Sequence, residues 1–321
     1  MGTRSHPGPP AGPSLADPPL LRHDALLYAG EAEYADLVGR FVRGGVAAGE
    51  PVLVAVPPPA AAVLREALGP IADEVELVDM TRVGRNPGRI IPFVQAWSDA
   101  QPQGPRRFVG EPVWPGREPD AAAEARRHDA LLNVAFASTD VHILCPYDAA
   151  RLDPQVVAGA GQTHPTLNCH GVAMVSDAYA DPFEVGAGAA APLRPAPAGA
   201  LAVPVTRDLA ATRGLVAAQA RAAGLPRGRV EALLQAANEA VTNTLVHGGE
   251  PGVLRLWRRD GELVCEVADR GWIRDPLAGR RAPDVERDHG RGLWLVNQLC
   301  DLVELRYGPD GTALRVHMRV P

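Results

Sequence analysis

Residues 186–198 read GAGAAAPLRPAPA, and such a segment can build neither a strand nor a packed helix. Its three prolines withdraw backbone donors, while glycine and alanine offer little apolar surface to offset the entropy of ordering. It reads as a semi-extended Pro/Ala linker over residues 184–200, with a differently patterned stretch of chain on either side. Two cores are therefore required, and a length of 321 residues accommodates two domains better than one. The opening MGTRSHPGPPAGPSLADPP has the same shortage of large apolar side chains and reads as a disordered tail over 1–19.

Between tail and linker, residues 20–183 alternate two periods. Short β-rich runs at 25–28, 51–56, 75–78, 108–109, 141–144 and 171–175 are separated by helical spacing at 34–48, 59–68, 89–100 and 120–137. Strands alternating with helices predict a parallel sheet covered on both faces, a three-layer α/β domain. After the linker, residues 201–321 change order. Helices at 207–223 and 227–247 precede strands at 252–258 and 262–269, joined by Arg259-Asp260-Gly261, a D-G hairpin signal. A loop, a helix at 290–300 and a second hairpin (302–307, 313–318) about Pro309-Asp310-Gly311 complete an α+β sandwich of helices on a mixed sheet.

The helix at 227–247 interrupts its apolar pattern with Glu239, Asn243 and His247, spaced so as to share one stripe. Three further features follow in order: Asp269-x-Gly271 after a strand, Gly290-Arg291-Gly292-Leu293 opening a helix, and Gly311-Thr312 opening the last strand. In that order they resemble the N, G1, G2 and G3 boxes of Bergerat-fold ATPases, and over about 200–321 the anti-sigma-factor serine/threonine kinases of the SpoIIAB and RsbW type. No helical phosphoacceptor hairpin accompanies them.

The resemblance implies ATP and Mg²⁺ as cofactors. A magnesium ion that keeps several waters needs only one side-chain oxygen beside the phosphates, and Asn243 can supply it. Glu239, one turn earlier, is the candidate general base on an attacking hydroxyl. Asp269 is an acceptor suited to the adenine amine, with Gly271 permitting close approach. Gly290, Arg291, Gly292 and Leu293 open a helix whose N–H groups can face phosphate oxygens, and Thr312 bonds near the base-binding aspartate. The charged stretch 272–289 reads equally as a short mobile ATP lid or as a solvated loop, and His247 equally as a ligand contact or as the residue before a glycine stop.

Residues 20–183 resemble the MEDS sensory domain through His23-Asp-Ala-Leu-Leu-Tyr28, Phe41-Val-Arg-Gly-Gly-Val46, Gly110-Glu-Pro-Val-Trp114, Leu132-Asn133, Cys145-Pro-Tyr-Asp148 and His164-Pro165. That family is likened to RecA-type cores, but GxxxxGK[ST] is absent, so this domain is not expected to hydrolyse ATP. The resemblance implies an unidentified small ligand, with Glu111, Trp114, Tyr147, Asp148 and His164 as candidate contacts or merely as residues satisfying strand ends. The hexamer RHDALL occurs at 22–27 and again at 127–132, a repeat that reads as coincidence in an Ala-rich chain. Cys169-His170 near His164 is a weak metal signal.

A net charge of −6 and a pI near 5.9 give no bulk reason to expect nucleic acid. Four scattered cysteines without a CxxC pair, no signal segment and no long apolar run fit a soluble cytoplasmic protein away from membranes. The combined reading is an anti-sigma-type protein serine/threonine kinase acting on a STAS anti-anti-sigma partner under sensory control, with sequestration of an alternative sigma factor and homodimerisation left open. Two alternatives stand beside it: an ATP-dependent binding regulator without phosphotransfer, and an atypical histidine kinase using His128.

Overall fold

The computed structural model describes residues 20–188, 191–248, 251–283 and 291–321. The tail expected over 1–19 lies outside them. The N-terminal domain runs β1 (Leu21–Tyr28), α1 (Glu31–Ala47), β2 (Val52–Val56), α2 (Pro58–Leu68), β3 (Glu76–Asp79), a one-turn α3 (Met80–Val83), α4 (Ile90–Asp99), β4 (Arg106–Gly110), α5 (Pro119–Ala135), β5 (Val141–Asp148), α6 (Pro154–Thr163), β6 (Thr166–Cys169), β7 (Val172–Val175) and α7 (Pro182–Ala187). The seven strands lie in the order β3-β2-β4-β5-β1-β6-β7, parallel throughout except for the antiparallel pair β6–β7.

Alternation of side chains across this sheet makes two cores. Leu53 and Ala55 of β2 join the cluster that includes Ile91 and Val94 of α4 and Leu131 of α5. Val52, Val54 and Val56 join Val38 and Val42 of α1 and Leu64 of α2 on the opposite face. A strand covered on both faces has no solvent side, hence the unbroken apolar VLVAV. The expected three layers are present. The sequence pattern gave no sign of α6, whose PQVVAGAGQT is rich in small residues; Asp153 starts it by accepting from the Gln155 N–H at 2.7 Å.

The C-terminal domain runs β8 (Leu201–Pro204), α8 (Leu209–Ala222), α9 (Arg227–Asn243), a π-type turn (Thr244–Gly248), β9 (Val253–Arg259), β10 (Glu262–Asp269), α10 (Arg291–Leu299), β11 (Leu302–Gly308) and β12 (Gly311–Arg319). Its strand order is β11-β12-β10-β9-β8, and every neighbouring pair is antiparallel, not mixed as expected. The reason is local. Asp260 (φ 48°) and Gly261 (φ 77°) turn β9 straight back on β10, and β8 adds as an antiparallel edge to β9.

One face of this sheet buries Leu256, Val267, Leu314 and Val316 under residues of the three helices. The other carries ionised groups: Glu266 accepts from Arg315 at 2.6 Å, and His317 Nε2 lies 2.8 Å from Glu304. The linker closes over this polar face instead of hanging free, because buried arginines need acceptors. Arg315 donates to the Arg194 carbonyl at 2.7 Å and Arg306 to that of Ala191 at 2.8 Å. Helix α7 also runs across the expected boundary at 183, so the N-terminal domain extends further into the Pro/Ala stretch.

Candidate functional site

The C-terminal site is assembled where α9, the end of β10, the start of α10 and the start of β12 converge. Asp269, the last residue of β10, accepts at both carboxylate oxygens: Oδ1 from the Gly271 N–H at 2.7 Å and Oδ2 from the Thr244 hydroxyl at 2.6 Å. Thr312, paired with Asp269 in the strand register, donates its hydroxyl to the Gly271 carbonyl at 2.8 Å. Each carboxylate oxygen has two lone pairs, so these bonds fix the aspartate in place and leave it further accepting capacity.

Three glycines let these segments touch. A Cβ at Gly271 would lie 2.5 Å from the Gly248 Cα, one at Gly248 would lie 2.5 Å from the Asp269 carboxylate, and one at Gly311 would lie 2.1 Å from the Asp269 carbonyl oxygen. Gly311 also sits at φ +117°, where only glycine is unstrained.

On the adjoining side, Gly292 in the first turn of α10 faces α9. A Cβ there would lie 2.5 Å from Glu239 Oε2 and 3.8 Å from Asn243 Nδ2. Glu239, Asn243 and Gly292 are thus brought together, all three half-buried. Arg291 opens α10, and Leu293 packs against Gly279 and the domain core. Gly290 and His289 lie outside the described residues. His247 is exposed within the π-type turn, which places Thr244 and Gly248 against Asp269. Thr244 is the site residue that sequence reading missed; a hydroxyl directly after Asn243 and before the apolar Leu245 and Val246 was the available signal.

The stretch read as either lid or solvated loop begins with exposed Trp272, Arg274 and Asp275 and then turns inward. Leu277 is 1% exposed and belongs to the core of the N-terminal domain, with Asp275 capping its N–H at 3.0 Å. Arg280 is buried and donates to Glu124 of α5 at 3.2 Å. Glu124 also receives Arg127 at 2.8 Å and pairs with Arg306 of β11. Burial alone would push the Glu124 carboxyl up, but Arg127, Arg306 and Arg280 outweigh it and hold it below the ordinary range. The far part of the stretch, 284–290, lies outside the described residues.

The N-terminal domain also grips the far end of α10. Arg89 donates to the carbonyls of Asn297 (2.8 Å), Gln298 (2.7 Å) and Cys300 (2.8 Å), a cation where the helix leaves unpaired carbonyls. Asn297 Nδ2 holds the Gly279 carbonyl at 3.0 Å, and Asn86 reaches Asn297 Oδ1 at 2.9 Å. The helix that opens at Gly292 and the base of the loop before it are therefore both tied to the other domain.

The five candidate contacts of the N-terminal domain separate. Glu111 is buried with one oxygen unpartnered, and burial, with Asp148 nearby, raises it to about 8. It neighbours Tyr28 and Tyr34. Tyr147 and His164 pack edge to face in the other core, at 5.7 Å between centroids, and Trp114 carries the Arg117 guanidinium 4.2 Å above its ring. Cys169 and His170 form no cluster with His164; His170 is exposed and bonded to Glu33 at 2.5 Å. His128 is 1% exposed, which denies the histidine-kinase reading an accessible phosphoacceptor. No helix among the described residues is long and apolar enough to cross a membrane.

Comparison with known proteins agrees with this division. Residues 22–165 match the model of the MEDS family, the methanogen/methylotroph, DcmR sensory domain, and residues 204–318 match the histidine kinase-like ATPase domain. The chain therefore joins a MEDS domain to a histidine kinase-like ATPase domain, and the second match implies ATP as a ligand. Among solved structures, the RsbU and RsbW domains of Rv1364c from Mycobacterium tuberculosis match at 20% identity and a TM-score of 0.30, over 40% of this chain and 34% of that one. The match thus spans about a third of that protein's chain. No curated protein matches.

Proposed function

We propose that this ATP-binding signalling regulator is a protein serine/threonine kinase of the anti-sigma type, acting on a STAS anti-anti-sigma partner, with its MEDS domain controlling the nucleotide site. A RecA-like core for the first domain and a Bergerat fold for the second belong to the same reading. The observation that carries it is the meeting of Gly292 with Glu239 and Asn243: the absent side chain lets a carboxylate and a carboxamide, one helical turn apart, lie against the start of α10.

The residues fit Mg-ATP. Asp269 is held rigid with accepting capacity to spare, as an exocyclic amine requires, and Gly248, Gly271 and Gly311 keep the surrounding backbone close. Asn243 would supply a hard oxygen to magnesium and the N-terminal turn of α10 would face phosphate. When bound, ATP supplies the transferable phosphoryl group. Glu239 would take the proton of the attacking hydroxyl, and the fixed backbone would orient both partners.

Control by the sensory domain rests on Leu277, Arg280 and Arg89. The loop leading to the nucleotide site and the helix that opens on it are both secured by the N-terminal domain, so a change in that domain changes the site's freedom to close. Sequestration of a sigma factor would use the same domain's outer surface. The test incubates the full chain with labelled ATP and STAS proteins, with Glu239→Ala as control. Acid-stable label on a serine or threonine supports the kinase; retained ATP binding with no transfer to any antagonist supports a binding regulator instead.

A further inference from the structure

A second constellation lies in the N-terminal domain, independent of the nucleotide site. His23 of β1, Cys145 of β5 and His164 after α6 are 3%, 1% and 0% exposed, and their ligand atoms all lie within 4.8 Å of one another. The strand register sets Ala25 opposite Cys145, so His23 and Cys145 point from neighbouring strands into the same core. The Cys145 sulfur lies 3.4 Å from His23 Nε2.

Both rings are held in the tautomer a metal needs. Asn133 donates its amide to the Thr163 carbonyl at 2.8 Å and the Ala130 carbonyl at 3.2 Å, which leaves its Oδ1, 3.0 Å from His23 Nδ1, as an acceptor. His23 Nδ1 must then carry the proton, and its Nε2 keeps a lone pair toward the thiol. His164 Nδ1 faces the Ala160 carbonyl at 2.9 Å, so it too is protonated there. His164 Nε2, fully buried, has no hydrogen-bond partner. A purely structural role leaves that lone pair unsatisfied at a cost of about 1–3 kcal/mol.

We propose that His23 Nε2, His164 Nε2 and the Cys145 sulfur bind one divalent zinc ion. The thiol loses its proton to solvent as the zinc–sulfur bond forms, and the two imidazoles donate their lone pairs unchanged. Asn133 and the Ala160 carbonyl supply the outer contacts that orient histidine ligands in metal sites. Three protein ligands leave a tetrahedral ion one position for water or a small exogenous ligand. The site borders α5, which also carries Glu124, the residue that holds Arg280.

The test is cobalt(II) titration of the chelator-treated full chain. The expected result is one equivalent bound, with thiolate-to-cobalt charge-transfer absorption and tetrahedral ligand-field bands, both abolished by added zinc. Cys145→Ser removes the charge-transfer band, and Cys169→Ser keeps it. Asn133→Ala retains all three ligands yet weakens zinc about 10–100-fold. No charge-transfer band in the wild-type chain overturns the proposal, as does a band that survives Cys145→Ser. Should circular dichroism show Cys145→Ser to be unfolded, the wild-type titration and Asn133→Ala decide: unchanged zinc affinity in Asn133→Ala would contradict the site.

Discussion

Glu124 of the sensory domain lies 3.2 Å from Arg280 of the loop that precedes the candidate phosphate-binding helix, and neither side chain is more than 6% exposed. The same carboxylate also pairs with Arg127 and Arg306, so one negative charge is shared by three buried guanidinium groups. Glu124→Gln keeps the shape and removes that charge. Breaking a buried pair in this way costs about 3–5 kcal/mol. Urea unfolding is expected to show this loss, and limited proteolysis to show faster cleavage within 272–289; unchanged values of both would deny that the contact joins the domains.

Leu277 tests the same connection without charge. Leu277→Ala is expected to destabilise the chain by about 2–5 kcal/mol, because it opens a cavity in the core of the domain to which Leu277 is foreign in sequence. Calorimetric unfolding checks the magnitude. A surface-like loss of a few tenths would mean that the loop is not anchored there.

His317 provides a pH dependence. Burial lowers its pKa, but bonds to Glu262 and Glu304 outweigh this, and the net direction is upward. Arg315 and Arg319 face the same carboxylates, at 3.7 Å from Glu304 and 3.6 Å from Glu262. A folded pKa above the unfolded value near 6.5 means that the contribution is fully present below about pH 6.5 and is lost as pH rises through the folded pKa. The stability gap between wild type and His317→Gln is therefore expected to shrink from pH 6 to 9. A gap that widens contradicts this assignment.

Gly311 gives a backbone test. Gly311→Ala places a Cβ 2.1 Å from the Asp269 carbonyl at a φ of +117°, and is expected to cost at least about 1–3 kcal/mol and to weaken nucleotide binding by moving Asp269. Denaturant midpoints and nucleotide titration measure the two effects separately.

Much of this was legible in sequence because the relevant signals are local. Short apolar runs marked β1–β5, β7 and β9–β12 but neither β6 nor β8, and Asp260-Gly261 marked its hairpin. The order Glu239, Asn243, Asp269, Gly271, Gly292, Thr312 placed on one site residues that the fold does bring together. What was not legible is non-local. Nothing within the run Asp275 to Arg280 says that its leucine enters another domain's core or that its arginine meets Glu124. The RHDALL repeat looked accidental, yet it carries His23 and His128 into one buried neighbourhood. The edge strand β8, only four residues long and hidden beside the linker, gave no signal either.

The central claim is that Asn243 and its neighbours on α9 and α10 hold Mg-ATP. Isothermal titration of the purified full chain with ATP and magnesium tests it most directly, with Asn243→Ala alongside. Saturable heat is expected for the wild type, with Glu239→Ala still binding and Asn243→Ala losing the magnesium-dependent part. No heat of association in the wild type, or undiminished magnesium-dependent binding in Asn243→Ala, would contradict the account.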